Sequence, residues 1–285
     1  MNSSFLLGIT TFTYLFSTLL YVAGAVFRTA RVWAFATIFT FCAWLIQTGG
    51  IALRWSESYQ QGIGHAPLTN MYESVVFFAW MIVLIYLVIE LRFKTKAIGV
   101  VALPFAFLAM AYASFSTNIN KTITPLIPAL QSNWLISHVI TCFVGYASFA
   151  IAASLGMLYL YQYFTTPKDG GKIDTQAKAW VPSFSTMDSI IHSTMFFGFI
   201  WLSVGIVTGA IWANSAWGTY WSWDAKETWS LITWFFYAVV LHARYTKGLK
   251  GSSIAFLSIV GFVSVLFTYY GVNFLLSGLH SYGSS

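Results

Sequence analysis

The sequence predicts an all-α protein that crosses a membrane about eight times and carries a tryptophan-rich loop on the outer side. Three observations lead there. Of the 285 residues 58% are hydrophobic and only 8% charged, with a mean hydropathy of +0.72, and a water-soluble domain has no use for that much apolar surface. The apolar residues gather in runs close to the roughly 20 residues that a bilayer-spanning helix requires. The charged residues sit almost entirely in the stretches between those runs. A single membrane domain, 1–285, accounts for the chain.

The elements follow in order. The first apolar run, 5–27, has no basic leader and is followed by Arg28 and Arg31, so it reads as a span and not as a cleaved signal peptide. The second is 33–53, after which a polar loop, 54–70, carries Gly62, Gly64, His65 and Pro67. The third, 71–91, ends at Arg92, Lys94 and Lys96, and the fourth is 97–115. A loop rich in Thr, Asn and Pro separates it from the fifth, 134–164. The longest polar linker, 165–188, precedes the sixth, 190–213. The seventh, 228–243, and the eighth, 252–276, are followed by a short tail.

Charge orients the bundle. One set of alternate loops holds Arg28, Arg31, Arg92, Lys94, Lys96, Lys168, Lys172, Lys178, Arg244, Lys247 and Lys250. The other holds only Arg54, Lys121 and Lys226. The positive-inside rule makes the first side cytoplasmic. Both termini, the His65 loop and the tryptophan loop then lie outside. The net charge of +6 is an orientation signal and not a nucleic-acid footprint, because it forms no patch on a soluble face. Cys42 and Cys142 both fall inside apolar runs, make no CxxC pair, and read as small core residues. The chain has no CxxCH and is not itself a c-type haem acceptor.

The segment 212–234 holds six of the 13 tryptophans, at 212, 217, 221, 223, 229 and 234. Tryptophan offers a broad, stiff surface with one N–H donor. Several of them beside Gly218 make a wall for a large planar ligand, whereas an interfacial aromatic belt would spread its rings over all the helix ends. His138 lies about 6 Å below the outer end of the fifth helix, and His280 lies in the outer tail. Two imidazoles at the level of a tryptophan wall suit the axial positions of a haem. The residues alone leave open whether His138 is a ligand or a hydrogen-bonded helix histidine. His242 lies about 21 Å down the seventh helix, as a ligand within the membrane or as an interfacial residue beside Arg244. His192 reads as a cap or surface residue near Asp188, and His65 as a loop anchor, gate or ligand. Glu73, Asp224 and Glu227 open helices, where carboxylates suit the dipole; Asp224 and Glu227 could also orient a tryptophan N–H, a tail histidine or Lys226. For the propionates of a haem, Lys226 is the first candidate cation and Arg54 the second.

The run from Trp217 through Gly218, Trp221, Trp223, Asp224, Lys226 and Glu227 to Trp229 resembles the tryptophan-rich signature of haem-handling membrane proteins. The segments 211–214, 241–244, 271–273, 278–282 and 64–74 together resemble the CcsA/ResC family of system II cytochrome c biogenesis. Ala225 stands where proline is expected, which touches no ligand. The resemblance implies a membrane subunit of a cytochrome c synthase that works with a CcsB/ResB partner. It would move haem b outward and present it for thioether attachment to CxxCH apocytochromes c. His138 and His280 would be the outer axial ligands, and His242 an inner one. Trp217, Gly218, Trp221, Trp223, Asp224 and Trp229 would form the haem surface. No side chain is expected to act as a nucleophile, since the acceptor brings the thiols. The expected membrane is the bacterial plasma membrane or the thylakoid. A system I type haem exporter or loader without ligation activity is the alternative.

Overall fold

The computed structural model describes residues 2–166, 168–169, 172–173 and 180–276. Eight long helices follow one another: α1 (Ser3–Phe27), α2 (Ala30–Gln60), α3 (Met71–Phe93), α4 (Gly99–Phe115), α5 (Asn133–Thr165), α6 (Phe184–Trp217), α7 (Ala225–Lys247) and α8. The last runs as Ser252–Leu266, passes through a π-helical turn at Phe267–Gly271, and closes with Val272–Leu275. Among the described residues the only strands are the two-residue pair Lys168–Asp169 and Lys172–Ile173 in the long linker.

Six of the eight, α1, α2, α3, α5, α6 and α8, are long and apolar enough to cross a membrane. α4 is apolar but has only 17 residues. α7 is long enough, but Lys226, Glu227, Ser230 and Thr233 dilute its outer half and Arg244 and Lys247 its inner end. Several helices overrun their apolar cores. α2 continues to Gln60 because its last turns have polar partners: the Ser3 amide donates to Glu57 at 2.8 Å, and the Arg54 guanidinium pairs with Glu73 at 2.9 Å. α6 begins at Phe184 because the Ser183 hydroxyl accepts from the Thr186 amide. Asn70, Ser132 and Asp224 cap α3, α5 and α7 in the same way.

α5 is the central helix. Of its most apolar 18-residue stretch 83% is buried, against 28% for α6. It packs along α6 most extensively, then along α8 and α3. Its sequence permits this, since Ala147, Ala150, Ala152, Ala153 and Gly156 are small and let neighbouring backbones approach. Polar staples tie the remaining helices together. Tyr14 donates to Gln47, and Gln47 donates to the Val76 carbonyl at 2.9 Å. Glu90 accepts from Tyr21, Tyr86 and Thr37.

Candidate functional site

A cleft opens at the end of the bundle that carries the tryptophan segment, where the starts of α3, α5 and α7 meet the ends of α6 and α8. It encloses a cavity of about 200 Å³ and opens to solvent at its mouth. Its walls are largely apolar and aromatic, and its floor is formed by Phe143, Tyr146, Leu202 and Tyr269. Polar groups in its lining come from Asn70, Ser74, Lys226, Glu227, Ser230 and Asn273.

His138 lines this cleft, one and a half turns into α5. Its Nδ1 lies 2.7 Å from the Gly205 carbonyl on α6. A carbonyl only accepts, so Nδ1 carries the proton, and in the neutral form of the ring the lone pair is on Nε2. That is the arrangement in which a histidine binds a metal through one nitrogen while the other is held by a backbone acceptor. The ring also stacks on Trp212, with centroids 6.1 Å apart and planes 15° apart. Gly209 makes the approach possible, because a Cβ there would stand 2.6 Å from His138 Nδ1.

The tryptophan segment divides its work. Trp212 and Trp221 line the cleft. Trp217 sets its edge against Trp212 at 4.7 Å, so it buttresses the wall. Trp229 packs on Phe267 at 4.3 Å, against the π-helical turn. Gly218, with φ of 78°, ends α6 in the left-handed conformation that glycine tolerates best. Trp223 adopts φ of 59° and is 69% exposed, edge-on to Trp221. A bulky L-residue there is strained. Its neighbours impose the conformation: the Ser222 amide and hydroxyl donate to Glu227, the Glu227 amide donates to Asp224, and the Thr228 hydroxyl donates to the Trp223 carbonyl.

Lys226 lines the cleft, and its ammonium donates to Asn273 Oδ1 at 2.9 Å. Arg54 does not reach the cleft. It is 3% exposed, and its guanidinium is taken by Glu73 and by the Lys121 carbonyl at 2.9 Å, with its face over Tyr72. The second cation proposed from sequence is therefore a staple between α2, α3 and the 116–132 loop. His65 belongs to the same region and anchors its loop: its amide donates to Ser58 and its Nε2 lies 3.2 Å from the Thr124 carbonyl.

The inner histidines lie elsewhere. His242 is exposed on α7. His192 does not cap α6, which starts eight residues earlier; its Nε2 lies 3.3 Å from the Tyr245 hydroxyl, one turn from His242. Arg244 pairs with Asp188 at 2.6 Å. His280 lies outside the described residues. Of the cysteines, Cys142 is buried in the cleft wall as expected, while Cys42 faces out of the bundle on α2.

Tyr269, Ser74 and Asn70 also line the cleft and Asn273 holds Lys226, roles that the sequence does not single out. Tyr269 and Ser74 share a hydrogen bond of 2.6 Å, so α3 and α8 meet at the floor. The signal that could have found them is a run of polar side chains at the outer ends of two otherwise apolar helices.

Residues 68–280 match the family described as Cytochrome C assembly protein. The chain is similar to proteins named "Cytochrome c biogenesis protein CcsA". That of Mesostigma viride is 38% identical over 251 residues, covering 82% of this chain and 81% of the relative. That of Guillardia theta is 37% identical over 297 residues, covering 97% and 95%, and that of Synechococcus sp. (strain CC9902) is 37% identical over 260 residues, covering 84% and 83%. A solved structure described as Cytochrome c Heme Lyase CcmF aligns with a TM-score of 0.67 over 94% of this chain at 13% identity, a likeness of fold; the chain spans 47% of that protein's length.

Proposed function

The chain belongs to the CcsA cytochrome c biogenesis proteins of the cytochrome c assembly family, and from that premise we propose that it moves haem outward and presents it in the outer cleft to apocytochromes c. Haem is cargo here, taken as haem b. The observation that carries the reading is His138, an imidazole in an aromatic cleft with its Nδ1 proton fixed by the Gly205 carbonyl. Its Nε2 is the outer axial ligand, and His280 supplies the opposite one. The Trp212 and Trp221 rings hold the macrocycle, with Trp217 bracing that wall, Trp223 at the rim and Trp229 packed on Phe267. Lys226 is the cation that meets the propionates.

His242 is the earlier, inner station. Its exposure on α7 suits a site closed by a second membrane chain, which the family pattern makes a CcsB/ResB-like partner. At the outer site the acceptor's CxxCH segment meets a haem whose vinyls face outward. Each thiol adds across one vinyl: sulfur bonds to one carbon and the proton goes to the other, so no oxidant or reductant is consumed. This chain contributes position and orientation. The loops rich in Lys and Arg face the cytoplasm, across a bacterial plasma membrane or a thylakoid membrane.

The test is the visible spectrum of the purified complex with its partner, together with maturation of a reporter cytochrome c. His138→Ala and His280→Ala should each lower haem retention and maturation, and added imidazole should partly restore both. Wild-type spectra and activity in both variants would overturn the reading.

A further inference from the structure

Trp221 is more than a wall. Its ring lines the cleft, yet its Nε1 is shielded from solvent and has no hydrogen-bond partner. A buried N–H left unpaired costs about 1–3 kcal/mol, so it marks a place where an acceptor belongs. Five residues on, Lys226 lines the same cleft. No carboxylate among the described residues forms an ion pair with it; the two ion pairs there are Arg54 with Glu73 and Arg244 with Asp188. Its one hydrogen-bond partner is the neutral amide of Asn273, which is itself fixed by donating to the Tyr269 carbonyl at 2.7 Å. The cleft's own acid, Glu227, is occupied by the Ser222 amide and hydroxyl. The Trp221 ring, with its unpaired N–H, and the Lys226 ammonium thus line one apolar cleft; among the described residues no carboxylate oxygen lies within ion-pairing distance of Lys226, and Asp224 acts on it from further off.

We infer that the Trp221 indole N–H and the Lys226 ammonium form a recognition point for a carboxylate of the ligand, and that Asn273 positions Lys226 while the ligand is absent. This rests on the haem reading and adds to it a selectivity: the site distinguishes a free propionate from an esterified one. An ester keeps the ring, the iron and the vinyls but carries no charge for Lys226 to meet.

The experiment titrates haem and its dimethyl ester into the full complex, prepared haem-depleted, and follows the Soret band. Wild type should bind the free acid at least about tenfold more tightly, as a charge-assisted hydrogen bond allows. Trp221→Phe keeps the stacking ring and removes only the N–H. It should shrink the preference several-fold, weakening the free acid more than the ester, and an unchanged thermal unfolding midpoint shows that the complex has folded. Lys226→Met should shrink it further. Equal affinity of wild type for acid and ester overturns this inference alone. So does a Trp221→Phe variant that weakens both ligands equally. If wild type binds neither compound, the haem reading and this inference fall together.

Discussion

The His138 imidazole lies nearly parallel to the Trp212 indole, with 15° between their planes, and the backbone of α6 passes beside it at Gly209. The ring is held by a stack, a carbonyl and the absence of a side chain. The last of these is the easiest to remove. Gly209→Ala puts a Cβ 2.6 Å from Nδ1, so the imidazole must move and its bond to Gly205 lengthens. Haem retention should drop about five- to tenfold, the equivalent of one hydrogen bond. Gly8→Ala on α1, with nothing within 4 Å of the new Cβ, should leave the Soret band unchanged. Equal spectra for the two variants would show that the approach of α6 does not set the ring.

Trp223 offers a test of backbone strain. Comparing Trp223→Gly with Trp223→Ala removes the indole in both cases and isolates the positive φ of 59°. Glycine should be the more stable by about 1 kcal/mol, the reverse of their usual order in a helix. Thermal unfolding of the purified complex measures it. An alanine variant at least as stable would mean that the loop relaxes without the tryptophan.

Arg54 and Glu73 should matter for stability and not for the ligand. Arg54→Met alone strands a carboxylate that is 2% exposed, at a cost of about 3–5 kcal/mol. Arg54→Met combined with Glu73→Gln should recover most of that, because the Thr69 donors remain. Unfolding midpoints and haem affinity of the surviving protein separate the two roles. A single variant of full stability with lowered haem affinity would return Arg54 to the site.

His242 decides the transport half of the reading. It sits near the inner end of α7, too far from the cleft to share one haem with His138. His242→Ala should lower haem at both stations, whereas His280→Ala should spare the inner one. Haem per complex in the two variants is the measurement, and a fully loaded outer site in His242→Ala removes the inner station from the route.

The sequence made the eight helices legible because hydrocarbon tolerates only apolar runs that close their own hydrogen bonds. Their ends were less legible. The last turns of α2 and the first of α6 are polar and lie outside the apolar cores, and what extends them is contact with Ser3, Glu73 or a capping Ser183. The tryptophan segment stood out by composition, but which rings face the cleft depends on the loop path between Gly218 and Asp224. Arg54 looked available because Glu73, 19 residues away, gives no sign in one dimension that it will be the partner. The cleft floor required α3 and α8 to meet, a contact across 195 positions.

The π-helical turn at Phe267–Gly271 also changes how α8 should be compared with its relatives. Each residue of an α-helix advances the chain by about 100° around the axis, and a π turn absorbs an additional residue without that rotation. Val272 and Asn273 therefore stand out of phase with the face that Ile254, Ser258 and Val265 define below them. A relative lacking one residue in this turn would align well by hydropathy, yet it would point a different side chain at Lys226. Single-residue length changes here act as a frame shift in azimuth, and they are the changes to look for when two otherwise similar chains differ in what they hold.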